Sequence, residues 1–348
     1  MRAQRVWGPG SKDANEALRR LAAVQAQELP YAKWSLGQRT KGAMRADLDQ
    51  DFDKGRILRT HILRPTWHFV APQDLRWLMR LSGPRVNGGN ARRYRELGLD
   101  AETLARTNDV IANALADRHM TRRELAAVLA RKRIDTEGQR MAYIMARAEL
   151  DSVVCSGAMS GKQQTYALFD ERVPAKMGPD GEAALAELAR RYFITRGPAT
   201  LKDFVWWSGL ATRDARSAIA SVERDLESFE RDGRTYWFGE ASSPQGSGAR
   251  ADLVQCYDET IIAYTESRKD VLAASGRLAA PMSVEGFMHA ILHDGRALGR
   301  WRVATKRDGV SVETLIDRRL TAAERKAVDE AIDRYRTFMG TGSASRSS

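Results

Sequence analysis

One arrangement recurs three times along this chain and limits its fold more than any other feature: two or three short helices followed by a β-hairpin, the outline of a winged helix. In the first copy Leu18, Leu21 and Val24 keep helical spacing, and Pro30 suits the first turn of a second helix carrying Tyr31 and Trp34, both read as core. Asp47 caps a short third helix through Lys54, after which Ile57 to Leu63 and Thr66 to Val70 alternate as strands around Arg64-Pro65. The second copy opens on Thr121-Arg122-Arg123-Glu124, a capping box, because the hydroxyl accepts from the third helical amide while the carboxylate reaches back. Leu125, Val128 and Leu129 follow at core spacing. A helix through Gln139 to Leu150 buries Met141, Ile144 and Met145, and Val153-Val154-Cys155 and Tyr166 to Phe169 form strands across a Gly-, Ser- and Lys-rich turn. In the third copy Thr200 precedes Leu201, Phe204 and Val205, Gly209 stops that helix, and Thr212 caps the next, with Ile219 and Val222 inside. Asp232-Gly233 then joins two strands, Leu226 to Arg231 and Arg234 to Phe238. Trp206-Trp207 reads as packing first and as a base-stacking platform second.

Beyond a Ser/Gly-rich linker at Ser242 to Gly248 the pattern changes to strands, Leu253 to Tyr257, Phe287 to His293 and Arg296 to Val303, the last two around Asp294-Gly295. A helix from Ala322 to Phe338 closes this β-rich part, and the tail from Thr341 is expected to be disordered. Asn87-Gly88-Gly89-Asn90 reads as a linker between the first two modules. The predicted class is therefore α+β, with winged helices over 1–85, 95–175 and 180–241, a β-rich domain over 250–340 and a tail over 341–348. A length of 348 residues suits several domains of about 150 residues or fewer.

With 43% hydrophobic and 29% charged residues the composition is globular, no apolar run approaches the ~20 residues of a membrane span, and Met1 to Gly10 has no secretory core. A cytoplasmic, nucleoid-associated protein is expected. Cys155 and Cys256 stand far apart among five scattered histidines, so neither a disulfide framework nor a metal site is expected. The informative quantity is charge: 56 Lys and Arg against 45 Asp and Glu, a net +11. From Lys54 to Arg95 ten basic residues accompany one acid, Asp74, with aromatics and glycines between them, as expected of a phosphate-binding surface on the first wing. Double-stranded DNA is the natural partner.

No P-loop, nucleophile elbow, Rossmann fingerprint, HExxH or EF-hand loop is present. Six short motifs do stand in order: Gln25-Ala26-Gln27; Thr66-Trp67-His68-Phe69-Val70 with Pro72, Asp74-Leu75 and Trp77-Leu78; Arg196-Gly197-Pro198-Ala199-Thr200; Trp207-Ser208-Gly209-Leu210; Tyr257-Asp258-Glu259; and Asp294-Gly295-Arg296 with Gly299-Arg300-Trp301-Arg302. Together they resemble the AlkZ-like (YcaQ-like) winged-helix DNA glycosylases, from about residue 11 to about 340. The resemblance implies three tandem winged helices scaffolded by a C-terminal barrel-like domain. It also implies excision of alkylated bases, including crosslinked ones, without metal or organic cofactor. Gln25 and Gln27 match the family's catalytic signature in its two-glutamine branch, the one associated with crosslink unhooking.

Two glutamines suit that chemistry on physical grounds. An N7-alkylated purine is already cationic and leaves as a neutral base without a general acid, so the emerging oxocarbenium ion needs chiefly a positioned water and nearby oxygen dipoles. Residues two apart on a helix diverge by about 200°, but Pro30 disfavours helix at Leu29, so the first helix is expected to end near Gln27 and let the side chains converge. Glu28 is the competing carboxylate base. His68 is expected on a wing strand, donating to a phosphate, reaching the lesion, or simply structural. Arg56, Arg59 and Arg64 are assigned to DNA backbone or groove contact. Lys33 is the one nearby amine, and an imine-forming role requires it to be desolvated, so hydrolysis without lyase chemistry is expected. A crosslinked base cannot be flipped without its partner, which favours an open surface over a deep pocket. The expected activity is thus a monofunctional, monomeric DNA glycosylase acting on N7-alkylated purines. A non-enzymatic winged-helix regulator or architectural protein, or a protein-protein scaffold, are the alternatives.

Overall fold

The computed structural model describes residues 1–240, 249–268, 288–306 and 309–340, apart from the side chains of 305–309. The Ser242 to Gly248 linker, Phe287 and the 341–348 tail lie outside the described residues. The first unit runs α1 (Ala14–Leu21), β1 (Val24–Gln25), α2 (Leu29–Gly37), α3 (Arg45–Asp53), β2 (Leu58–Ile62) and β3 (Thr66–Val70). Its three strands form an antiparallel sheet in the order β1-β3-β2. Asp13 caps α1 by accepting from the Glu16 amide at 2.7 Å, and Pro30 lies in the first turn of α2.

A 25-residue helix, α4 (Pro72–Glu96), leads to the second unit: α5 (Ala101–Leu115), β4 (Met120–Thr121), α6 (Arg122–Arg131), α7 (Arg140–Leu150), β5 (Val154–Ser160) and β6 (Gln163–Leu168), with sheet order β4-β6-β5. The capping box at Thr121 and Glu124 forms as the sequence predicts. A single turn, α8 (Phe169–Arg172), precedes the third unit, α9 (Gly181–Arg196), α10 (Leu201–Ser208), α11 (Thr212–Val222) and the hairpin β7 (Glu227–Arg231) and β8 (Arg234–Phe238). The last part holds β9 (Ala251–Val254), α12 (Glu259–Ile262), β10 (His289–His293), β11 (Arg296–Lys306), β12 (Gly309–Leu315) and α13 (Ala322–Phe338). Its strands form a four-stranded antiparallel half-barrel, β12-β11-β10-β9. Among the described residues no helix is long and apolar enough to cross a membrane.

The first unit shares its core with the half-barrel. Leu18, Trp34, Phe52 and Phe69 pack in one cluster with Leu253, Ile291, Trp301, Tyr335 and Phe338. A second core joins α4, α9, α10 and α11 to the wing residues Leu58, Ile62 and Leu63. The second unit has its own core, around Ile111, Leu125, Leu129 and Ile144. Burial of these side chains stabilises by roughly 1.5 to 3 kcal/mol each, so the first unit depends for its apolar contacts on the elements on either side of it.

Several local expectations are corrected. The Gly-rich stretch Asn87 to Asn90 is no linker; it lies inside α4, which carries the chain without a break from the first unit into the second. Gly83 shows why glycines are useful in this helix, since a Cβ there would stand 2.7 Å from the Leu150 carbonyl oxygen where α7 crosses. Thr212 is the first helical residue of α11 rather than its cap, which is Ala211, and Asp47 acts from the third position of α3, accepting from the Met44 amide. The larger correction concerns α1. It stops at Leu21, where Ala22 takes φ 63°, and Val24 and Gln25 form a strand rather than another helical turn.

Candidate active site

The strand β1 decides how the glutamines are presented. Val24 pairs with Phe69 and Gln25 with His68, and the Ala26 amide donates to the Trp67 carbonyl at 2.7 Å. Gln25 therefore stands on a strand, where side chains alternate between faces, and Gln27 follows two residues on, outside the strand. Gln25 is buried and Gln27, in the bend just past the strand, is exposed.

Four charged side chains from distant parts of the chain hold this segment. Arg196, at the end of α9, donates to the carbonyls of Leu21 at 3.0 Å and Ala23 at 2.8 Å, occupying the oxygens just before β1. Its guanidinium also pairs with Glu259 at 2.7 Å, both side chains being fully buried. Glu259 accepts the Gln25 amide at 2.8 Å through Oε1, and through Oε2 the indole of Trp207 at 2.9 Å. From the wing, Arg59 donates to the Ala26 carbonyl at 2.8 Å and the Gln27 carbonyl at 3.2 Å, while its other nitrogen reaches Gln164 of the second unit. Arg64 donates to Gln25 Oε1 at 2.7 Å. Because a guanidinium only donates, this contact fixes the amide orientation. Gln25 Nε2 and the second lone pair of Oε1 have no partner among the described residues.

The sequence-predicted contact residues therefore divide. Arg56 is exposed and paired with Asp51. Arg59 and Arg64 are committed largely to the glutamine segment, and desolvation lowers the pKa of both, that of Arg59 to about 10. His68 is fully buried, so the expectation that it meets a DNA phosphate is corrected. Its Nδ1 lies 2.9 Å from the Thr66 carbonyl, which requires the proton on Nδ1 and leaves Nε2 as a buried acceptor without a partner. Burial first, and the Arg64 charge second, lower its pKa to about 3, so the ring is neutral opposite Gln25. Glu28 is half-buried beside Gln27, and burial raises its carboxyl pKa. Lys33 is buried against Asp49 at 2.5 Å. No group of three or more His, Cys, Asp or Glu side chains that could hold a metal occurs among the described residues.

Next to Arg59 a cavity of about 460 Å³ opens between the first and second units, lined by Trp67, Arg122, Arg123, Met141, Gln164 and Tyr166 among others. The Arg59 guanidinium covers the Trp67 ring at 4.0 Å, and Tyr166 is buried, so the cleft offers cations and amides rather than a free aromatic face. Arg122 and Arg123 are exposed and form neither a hydrogen bond nor an ion pair among the described residues.

The sequence model of the AlkZ-like DNA glycosylases matches residues 18–338, which is nearly the whole chain. The chain belongs to the AlkZ-like DNA glycosylase family. No curated protein matches it. Among solved structures, the Streptomyces sahachiroi DNA glycosylase AlkZ superposes with a TM-score of 0.78 at 20% identity, covering 98% of this chain and 95% of that one. Its fold is thus the fold described above.

In this AlkZ-like chain the family motifs now have visible work. Arg196, Trp207 and Glu259 meet behind β1, and Asp258 pairs in full burial with Arg39 of the first unit at 2.8 Å. Sequence reasoning used these residues only as markers of resemblance and missed their joint role. The available signal was an adjacent acid pair, Asp258-Glu259, in an otherwise apolar stretch, because carboxylates are seldom buried without cationic partners. His68 carries a pH prediction. Its native pKa lies below the ordinary 6.5, so the unfolded chain takes up the proton first as pH falls. The His68 contribution is fully present above pH 6.5 and is lost progressively towards pH 3. Urea midpoints of the wild type are expected to decline over that window more steeply than those of His68→Asn; parallel curves contradict the assignment.

Proposed function

We propose that this protein hydrolyses the N-glycosidic bond of N7-alkylated purines in duplex DNA, interstrand crosslinks included, with Gln25 and Gln27 positioning the attacking water. The observation that carries this reading is the pinning of Gln25-Ala26-Gln27 from both sides by Glu259 and Arg59, with the Gln25 carboxamide oriented by Arg64. A prepositioned amide can hold water and stabilise a developing cation with its oxygen dipole without reorganising at the moment of reaction. His68, opposite Gln25, is neutral, so the positive charge beside the carboxamide is that of Arg64 alone among the residues that meet it. Lys33, tied to Asp49, is not available as an imine-forming nucleophile, which supports hydrolysis alone. The paired glutamines, in place of a glutamine and a carboxylate, favour the crosslink-unhooking branch. Arg122 and Arg123, on the cleft beside Arg59, are suited to the strand's phosphates and extend the DNA surface from the first wing to the second unit. A monomer is sufficient for this arrangement.

Release of 7-methylguanine from a methylated duplex and unhooking of an N7-guanine crosslink test the reading together. Activity on either substrate, leaving an abasic site with an unbroken backbone, supports it. Binding of undamaged duplex with cleavage of neither favours the regulator alternative.

A second reading gives the base role to Glu28, because its carboxyl is half-buried and shifted upward by that burial. The two readings differ in pH dependence. Glutamines do not titrate, and His68 stays neutral above about pH 3, so single-turnover excision is expected to be flat from pH 5.5 to 9 and little changed in Glu28→Gln. A rate that falls on the acid side and is lost in Glu28→Gln assigns the base to Glu28.

A further inference from the structure

Beside Gln25 stands a side chain to which neither the family motifs nor the reaction above gives a role. Trp206 is 42% exposed, one of three large hydrophobic side chains so exposed among the described residues. It sits near the end of α10, yet it faces the wing of the first unit: the Arg64 guanidinium that bonds Gln25 also lies 5.2 Å from the Trp206 ring centroid. The placement is enforced. Arg85 donates both to Leu63 at the wing tip and to Ser208 at the end of α10, and Gly209, at φ 66°, allows the close approach, since a Cβ there would stand 3.0 Å from the Leu63 oxygen. The indole N–H donates to the Ile262 carbonyl at 3.1 Å, which orients the ring. Arg268 lies 6.0 Å from the same ring. Arg64 Nε and Arg268 Nη2 are buried and have no partner among the described residues, whereas the Trp207 indole next door is satisfied by Glu259.

A solvent-open indole one guanidinium away from the Gln25 amide, with a second guanidinium beside it, is the chemistry of a stacking subsite for a flat ring. We propose that Trp206 forms this subsite and stacks on a planar aromatic group of the damaged nucleotide. The inference rests on the glycosylase reading above. Two sources share that chemistry, the purine itself and an aromatic group appended to it by the alkylating agent.

Binding separates them without requiring turnover. The probes are duplexes carrying 2′-fluoro-stabilised N7-methylguanine, or the same nucleotide with a naphthylmethyl group at N7, compared with undamaged duplex for wild type, Trp206→Ala and Trp206→Phe. Thermal melts confirm that the exposed substitutions leave the fold intact. Trp206→Ala is expected to lose roughly tenfold or more of its preference for damaged over undamaged duplex, with Trp206→Phe recovering most of it. Loss confined to the naphthylmethyl probe assigns the appended ring, and equal loss on both probes assigns the purine. Unchanged preference on both overturns the subsite. If the wild type binds a damaged probe preferentially but releases no base from the corresponding cleavable substrates, the glycosylase reading fails while the stacking result still stands or falls on its own.

Discussion

Glu259→Ala is expected to destabilise the protein by about 3 to 5 kcal/mol, the usual cost of leaving one member of a buried ion pair uncompensated. Arg196 and Glu259 are both fully buried, and the carboxylate accepts from the Gln25 amide, the Arg196 guanidinium and the Trp207 indole. Removing it strands three sets of donors at the junction of the first unit, the third unit and the half-barrel. Against a typical domain stability of about 5 to 15 kcal/mol such a loss is a large fraction of the whole. Glu259→Gln keeps an acceptor and the volume but not the charge, so it should fall between the wild type and Glu259→Ala. Urea denaturation checks the order. A shift below about 1 kcal/mol for Glu259→Ala, the range of an exposed ion pair, contradicts the role assigned to this network.

The second large effect belongs to chemistry rather than stability. Gln25→Ala is expected to slow single-turnover base release by roughly a hundredfold or more, since it removes a preoriented dipole and one holder of the water. Its fold should survive, because the backbone of β1 is held by Glu259, Arg196 and β3 and not by the carboxamide. Gln27→Ala is expected to be milder, as Gln27 is exposed and no side chain among the described residues orients its amide. Equal effects of the two substitutions contradict the assignment of Arg64 as the residue that preorganises Gln25.

Sequence patterns reached the architecture because its signals are local. Asp232-Gly233 and Asp294-Gly295 take positive φ angles of 53° and 69°, and of 48° and 78°, the left-handed turns that suit these dipeptides. The Thr121, Thr200 and Thr321 capping boxes form within four residues. The state of Val24 and Gln25 has no such local cause. Their apolar spacing continues α1, and it is Arg196, 173 residues beyond Ala23, with Glu259 and the β3 partners Phe69 and His68, that hold a strand there. That single difference puts Gln25 on a strand paired with His68 rather than on a helix.

Charge was legible as a total but not as a location. Within the basic run from Lys54 to Arg95, Arg76 binds Asp170 and Arg80 the Met177 and Pro179 carbonyls, fastening α4 to the segment before α9. Arg85 ties the wing tip to α10, and Arg59 and Arg64 serve the glutamine segment. Arginine suits these tasks because its several fixed donors can bridge carbonyls of different elements. A count of basic residues does not distinguish such a fastener from a phosphate ligand. Arg122 and Arg123, which line the cleft and have no hydrogen-bond or ion-pair partner among the described residues, stand in the sequence only as the interior of a capping box.

Single-turnover release of 7-methylguanine from a methylated duplex by the wild type and by the Gln25→Ala/Gln27→Ala double variant, with duplex affinity measured on the same preparations, decides whether the two glutamines carry the reaction. Release by the wild type, at least a hundredfold less by the double variant, and nearly equal DNA affinity for the two are expected. Release by the double variant at the wild-type rate would contradict this expectation and move the chemistry away from the two glutamines.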